Sequence, residues 1–273
     1  LRAIPSTNVI HIAWKGDLHT TDVETFRKQI LQPIVQTAHE RGLTAHLDGI
    51  AYSSDFPYSI DFTGDVPERD RKILQDPAKG MTPIGSINSL TFYYQFVLVK
   101  QPYYVDLARL TNKYFRPVNQ GKQLAPTQGF RGWCGWGDNG QVLEAGGQRF
   151  LLSMMLGFTA GKGNTVDEVV RYLQRSAKAD GTPPNGTVYF TKTADPRSTP
   201  RHSWFDPAAA VLKKLGVAAE VLETDIPTDK QDIAGGMFGY ASMDWRKRNN
   251  TILPGAMVDD LTSFGAEFKN NSA

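Results

Sequence analysis

The sequence predicts an α/β protein, a three-layer α/β/α sandwich around a mainly parallel sheet. Two segments carry that expectation. Near the start, the β-rich run "NVIHIAW" (8–14) precedes a helix-patterned stretch and then "AHLDGIAYSSDFP" (45–57). Further on, "GTVYFTK" (186–192) and "AAEVLE" (218–223) flank the helical "PAAAVLKKLG" (207–216). Strand, helix, strand is the β-α-β order, whose crossover makes the two strands parallel. A third observation sets the limits of the core: "GFRGWCGWGDNG" (129–140) has no hydrophobic period. It marks an aromatic, Gly-rich insertion at about 103–148 in an otherwise single domain spanning 1–273.

The first helix is expected over about 22–41. Val23, Phe26, Ile30, Ile34 and Ala38 recur at helical spacing, Thr21 with Glu24 reads as a capping box, and Gly42 supplies the stop. Pro33 lies inside it and predicts a kink. The polar stretch 58–80, punctuated by Pro67 and Pro77, reads as an excursion, and "IGSINSLTFYYQFV" (84–97) as a short helix with aromatic packing. The next helix, about 165–179, opens on a capping box of Thr165 and Glu168 and lines up Val166, Val169, Val170, Leu173 and Ala177. Asp206 followed by Pro207 fits an N-cap with proline at the first helical position, and Gly216 ends that helix. Segments 8–14, 45–53, 187–192 and 218–222 are expected as strands of one sheet. "DIAGGMFGYAS" (232–242) and "ILPGAMVDD" (252–260) supply further strands.

Composition narrows the function classes. Of 273 residues, 40% are hydrophobic and 21% charged, which suits a globular protein. A net charge of +2 argues neither for nor against nucleic acid or a membrane surface, and no nucleic-acid partner is expected. No apolar run approaches the roughly 18 residues of a membrane span. Cys134 is the single cysteine, so neither an intrachain disulfide nor a cysteine-based zinc site can form. Flanked by Gly and Trp, with no histidine near in sequence, it reads as an inert thiol. The five histidines form no HxH or HExxH pattern. "GFTAGKGN" (157–164) lacks phosphate-loop spacing, with three residues between Gly157 and Gly161 and Gly163 where Ser or Thr is needed, so it reads as a glycine turn. No cofactor and no metal are expected.

Three places carry candidate chemistry. "DPRSTPRHSW" (195–204) follows a strand, and Arg197, Arg201 and His202 there could hold an anion, or could be tied down by Arg–carboxylate pairs and Trp204 packing. Asp55 ends the second strand and fits a general base, a metal ligand or a turn-capping residue before Pro57. The last strand runs into "LTSFG" (261–265), where Ser263 occupies the strand end that in doubly wound sheets usually carries chemistry. A non-catalytic binding or structural protein is thus the first choice, a hydrolase built from Ser263, His202 and Asp55 the runner-up, and a small-anion binding module centred on Arg197 and Arg201 the third. Asp259 and Asp260 alternate along their strand, so they do not form a carboxylate pair.

Several phrases together resemble an uncharacterised bacterial family found in genomes that carry exosortase, a membrane protein-sorting system. They are "IPSTNVIHI", "GSINSLTF", "GNTVDEVVRYLQRSAKADGTPPNGTVYF", "DPRSTPR", "LKKLGVAAEVL" and "LPGAMVDDLTSFGAEF", in order along nearly the whole chain. The resemblance implies an exported, extracytoplasmic protein of the cell envelope. Family members have a further strand and helix before "IPSTNV" and a further strand after "TSFG", which implies a chain incomplete at both ends, with another chain or segment completing the sheet. The order "GGMFGYASMDW" then "LPGAMVDDLTSFG" also resembles gingipain-type, caspase-like cysteine peptidases, as an alternative to a flavodoxin-like sheet. In those peptidases a His-Gly pair follows one strand and a Cys the next. Tyr240 stands here where the His would be, and Phe264 or Ser263 where the Cys would be. This implies a pseudoenzyme, since neither Tyr nor Phe can replace the imidazole and thiolate.

Overall fold

The computed structural model describes residues 3–74, 82–105, 119–120, 123–124, 132, 134–137, 142–161, 163–182, 185–241 and 244–261. The chain divides into two compact units, Ala3–Ala160 and Gly161–Ala273. The strands therefore do not join the single sheet expected from the sequence. Among the described residues the first unit holds a three-stranded sheet and two-stranded ones, and the second unit the four-stranded sheet, each unit with its own core.

The first unit opens with β1 (Thr20–Asp22), α1 (Val23–Phe26), a π-helical turn (Arg27–Leu31) and α2 (Gln32–Glu40). The five residues at helical spacing are all buried, and Leu31 joins them. All of these but Ala38 pack against Tyr52, Ile60, Ile87, Leu90 and Val97. The N-cap is Asp22 rather than Thr21: its carboxylate accepts the Thr25 N–H at 2.9 Å. Glu24 is left free to pair with Arg27, Lys28 and Lys100. Pro33 acts through the turn before it. A proline has no N–H for the carbonyl four residues back, and the backbone here widens so that the Gln32 N–H bonds the Arg27 carbonyl, a five-residue step. Gly42 closes the helix with φ +68°. The Leu43 N–H reaches the Ala38 carbonyl and the Gly42 N–H that of His39, a Schellman stop.

Then follow β2 (Gly49–Tyr52), β3 (Ser59–Asp61), α3 (Glu68–Leu74), β4 (Ile84–Ser86), α4 (Ile87–Phe92) and α5 (Tyr94–Leu98). β3 pairs parallel with β1 and antiparallel with β4. The segment 8–14 forms no strand. Ile10, Ile12 and Trp14 do alternate onto the core, but Arg41 donates to the carbonyls of Thr7 and Val9 where a neighbouring strand would have. Period-two burial reports which face is inward, not whether a ladder exists.

The described part of the insertion contributes four two-residue strands: β5 (Asn119–Gln120), β6 (Gln123–Leu124), β7 (Gly135–Trp136) and β8 (Val142–Leu143), paired antiparallel as β5–β6 and β7–β8. Its described part packs Cys134 and Trp136 with Phe92, Phe96 and Phe150. A Cβ on Gly135 would stand 2.0 Å from the Gly146 carbonyl oxygen, so only glycine fits that crossing. β9 (Leu152–Met155) then pairs parallel with β2.

The second unit contains α6 (Val166–Lys178), β10 (Thr187–Thr191), α7 (His202–Lys214), β11 (Ala218–Leu222), β12 (Ile233–Phe238) and β13 (Ile252–Asp260). All three strand pairings are parallel, in the order β11-β10-β12-β13. α6 carries the expected capping box between Thr165 and Glu168. α7 starts at His202, four residues before the Asp206 expected as N-cap, with Pro207 inside it. Asp206 is instead bonded to Lys192 at 2.8 Å. Phe205 and Ala209 of α7 pack on Phe190 and Ala219 of the sheet. Gly216, φ +79°, ends α7 through another Schellman stop, the Val217 N–H on the Leu212 carbonyl. Tyr189, Ile233 and Phe238 form the cluster on the opposite face.

Thr191 ends β10 fully buried, and its hydroxyl has no hydrogen-bond partner among the described residues. A buried hydroxyl without a partner is a net cost. Thr191→Val should therefore leave the protein as stable or more stable, by on the order of 1 kcal/mol, in thermal or urea denaturation.

Candidate functional site

In the second unit the chain leaves β10 toward α7 and β11 on one side, while β12 and β13 lie on the other. The order reverses between β10 and β12, and ligands of open parallel sheets bind at the carboxyl end of such a switch point. The loop 193–201, with its two arginines, lies there. Gly239 follows β12, and a Cβ on it would stand 2.5 Å from the Arg197 carbonyl oxygen and 2.8 Å from the Ser198 nitrogen. The loop backbone is thus in direct contact with the strand end.

The charged side chains of this loop are turned onto the protein itself. Arg197 bonds Asp195 through both its guanidinium, at 3.2 Å, and its backbone N–H, at 2.8 Å. The same N–H chiefly holds the Asp195 carboxyl below the usual range. Arg201 donates to Asp259 at 2.6 Å and to the Phe238 carbonyl, tying the loop to β13 and β12 together. Asp260, one residue on, accepts the Tyr240 N–H at 3.3 Å. Burial raises its pKa, with the Asp259 charge adding to the rise. Two guanidinium groups therefore face three carboxylates, which leaves no surplus of positive charge. Trp204 does not pin the loop, being 62% exposed.

His202 has a partner that sequence reasoning missed. Its Nε2 lies 2.8 Å from the hydroxyl of Ser198, which is fully buried. The Ser198 Oγ also faces the Thr191 carbonyl at 3.0 Å and the Thr193 N–H at 3.2 Å. A hydroxyl has one proton and two lone pairs. The carbonyl can only accept, so it takes the proton, and the Thr193 N–H fills one lone pair. Nε2 must then donate to the other. An imidazole with its proton on Nε2 is no base toward Ser198, and Ser198 is closed to any substrate. The four-residue spacing from Ser198 to His202 across Pro200 was the only signal in the sequence.

Ser263 and Phe264 lie outside the described residues. Asp55 is exposed in the turn after β2, in the first unit. Cys134 is buried in the aromatic cluster of that unit. Among the described residues no group of three or more His, Cys, Asp and Glu side chains could hold a metal ion, and no helix is long and apolar enough to cross a membrane.

The first unit has its own strand-end cavity, of about 290 Å³, at the carboxyl ends of the parallel pair β1 and β3. Asp22, Glu24, Asp61, Asp65, Thr63 and Lys100 line it. Lys28 and Lys100 bring the Glu24 pKa down to about 2. Beneath lies a buried network. Arg27 Nε donates to the Val97 carbonyl at 2.6 Å, its Nη atoms to Glu24 and Asp65, and the Tyr104 hydroxyl to Asp65. Burial, and then the Asp65 hydrogen bond, raises the Tyr104 pKa. The sequence pattern pointed to none of these residues as a site, because Asp61 and Asp65 fall in a stretch that reads as an excursion.

No family model, curated protein or solved structure matches the chain.

Proposed function

We propose that this chain is a non-catalytic binding protein of the cell envelope, exported from the cytoplasm, built on a three-layer, caspase-like α/β fold that has lost its dyad. The observation that carries the non-catalytic reading is the Ser198–His202 hydrogen bond, which spends the one imidazole of the strand-end loop on a buried hydroxyl. The four parallel strands in switch-point order support the fold, and the phrases shared with the exosortase-associated family support export. The pairing of Arg197 and Arg201 with carboxylates argues against a small-anion module.

The partner in this reading is another protein chain that completes the sheet. β13 ends the strand order, with no neighbour on its outer side among the described residues. It carries Met257 at 83% exposure beside Ile252 and Val258, both exposed. α6, which packs on β13, buries none of its residues fully and leaves Val166 and Val170 exposed. An uncovered apolar sheet edge is a pairing site that proteins rarely leave bare.

Two measurements test the proposal. An active-serine phosphonate probe should leave the protein unlabelled, and His202→Ala should cost stability, by about 1 kcal/mol for the lost bond. Labelling that His202→Ala abolishes would instead establish the hydrolase. A photo-crosslinker at position 257 should form adducts with a second polypeptide in envelope preparations, and no adduct at that position would remove the binding reading.

A further inference from the structure

We draw no further inference here: the strongest candidate, the cavity lined by Asp22, Glu24, Asp61 and Asp65 at the carboxyl ends of β1 and β3, is a cluster of carboxylates each already bonded within the protein, and nothing else among the described residues points to a ligand in it.

Discussion

Arg27→Met should destabilise the first unit by about 3–5 kcal/mol, the usual cost of removing one member of a buried ion pair. Arg27 is 3% exposed, and its guanidinium joins the Val97 carbonyl on α5, Glu24 on α1 and Asp65 in the loop after β3. Methionine fills much of the volume but donates nothing. Among the described residues Asp65 then keeps the Tyr104 hydroxyl alone, and the Val97 carbonyl loses a charge-assisted donor. A double variant tells charge from shape. Asp65→Asn in the Arg27→Met background removes the stranded carboxylate, so urea denaturation should show the pair costing less than the sum of the two single changes. Additive losses would mean that Arg27 acts through packing alone.

Gly239→Ala should be strongly damaging for a single added methyl in the second unit. The new Cβ would meet the carbonyl of Arg197 and the nitrogen of Ser198, both backbone atoms that cannot rotate away. Overpacking of this kind costs roughly 1–3 kcal/mol and sometimes more. The shift must move the loop 193–201 off β12, which breaks the Arg201 contacts with Phe238 and Asp259 and strains the Ser198–His202 bond. Amide exchange should rise at 197–202 well before it rises in β11. Gly64→Ala is the matched control, since a Cβ there meets only Val23 Cγ1, at 4.0 Å. Equal effects of the two changes would refute the close approach as the cause.

Both sites show where local pattern is informative. The core face of the first helix could be read in advance because apolar burial along a helix is a local periodicity: Val23, Phe26, Ile30, Ile34 and Ala38 sit where their spacing puts them. Gly42 and Gly216 were readable for the same reason, since a left-handed C′ residue is a one-residue requirement. The parallel pairing of 187–191 with 218–222 followed from a crossover with one favoured hand. The expected N-caps missed by one residue at Asp22 and by five at α7, because two neighbouring side chains could cap the first helix, while α7 continues backward through Asp206 and Pro207 to an N-cap, Arg201, that makes no side-chain cap bond.

By itself, then, the sequence determined which face of the first helix turns inward and where two helices stop, because each depends on neighbours a few residues apart, and that 187–191 runs parallel to 218–222, because the crossover has one favoured hand; the apolar face expected of α6 stays largely exposed. The tertiary structure alone decided the rest. It decided that 8–14 lines a core without joining a ladder, that the strands divide between two units, that Arg27 is buried and that His202 belongs to Ser198. Strand pairing and buried polar bonds join residues far apart in the chain, or pick one acceptor from several nearby. Their free energy comes from what surrounds a group after folding, which no periodicity records.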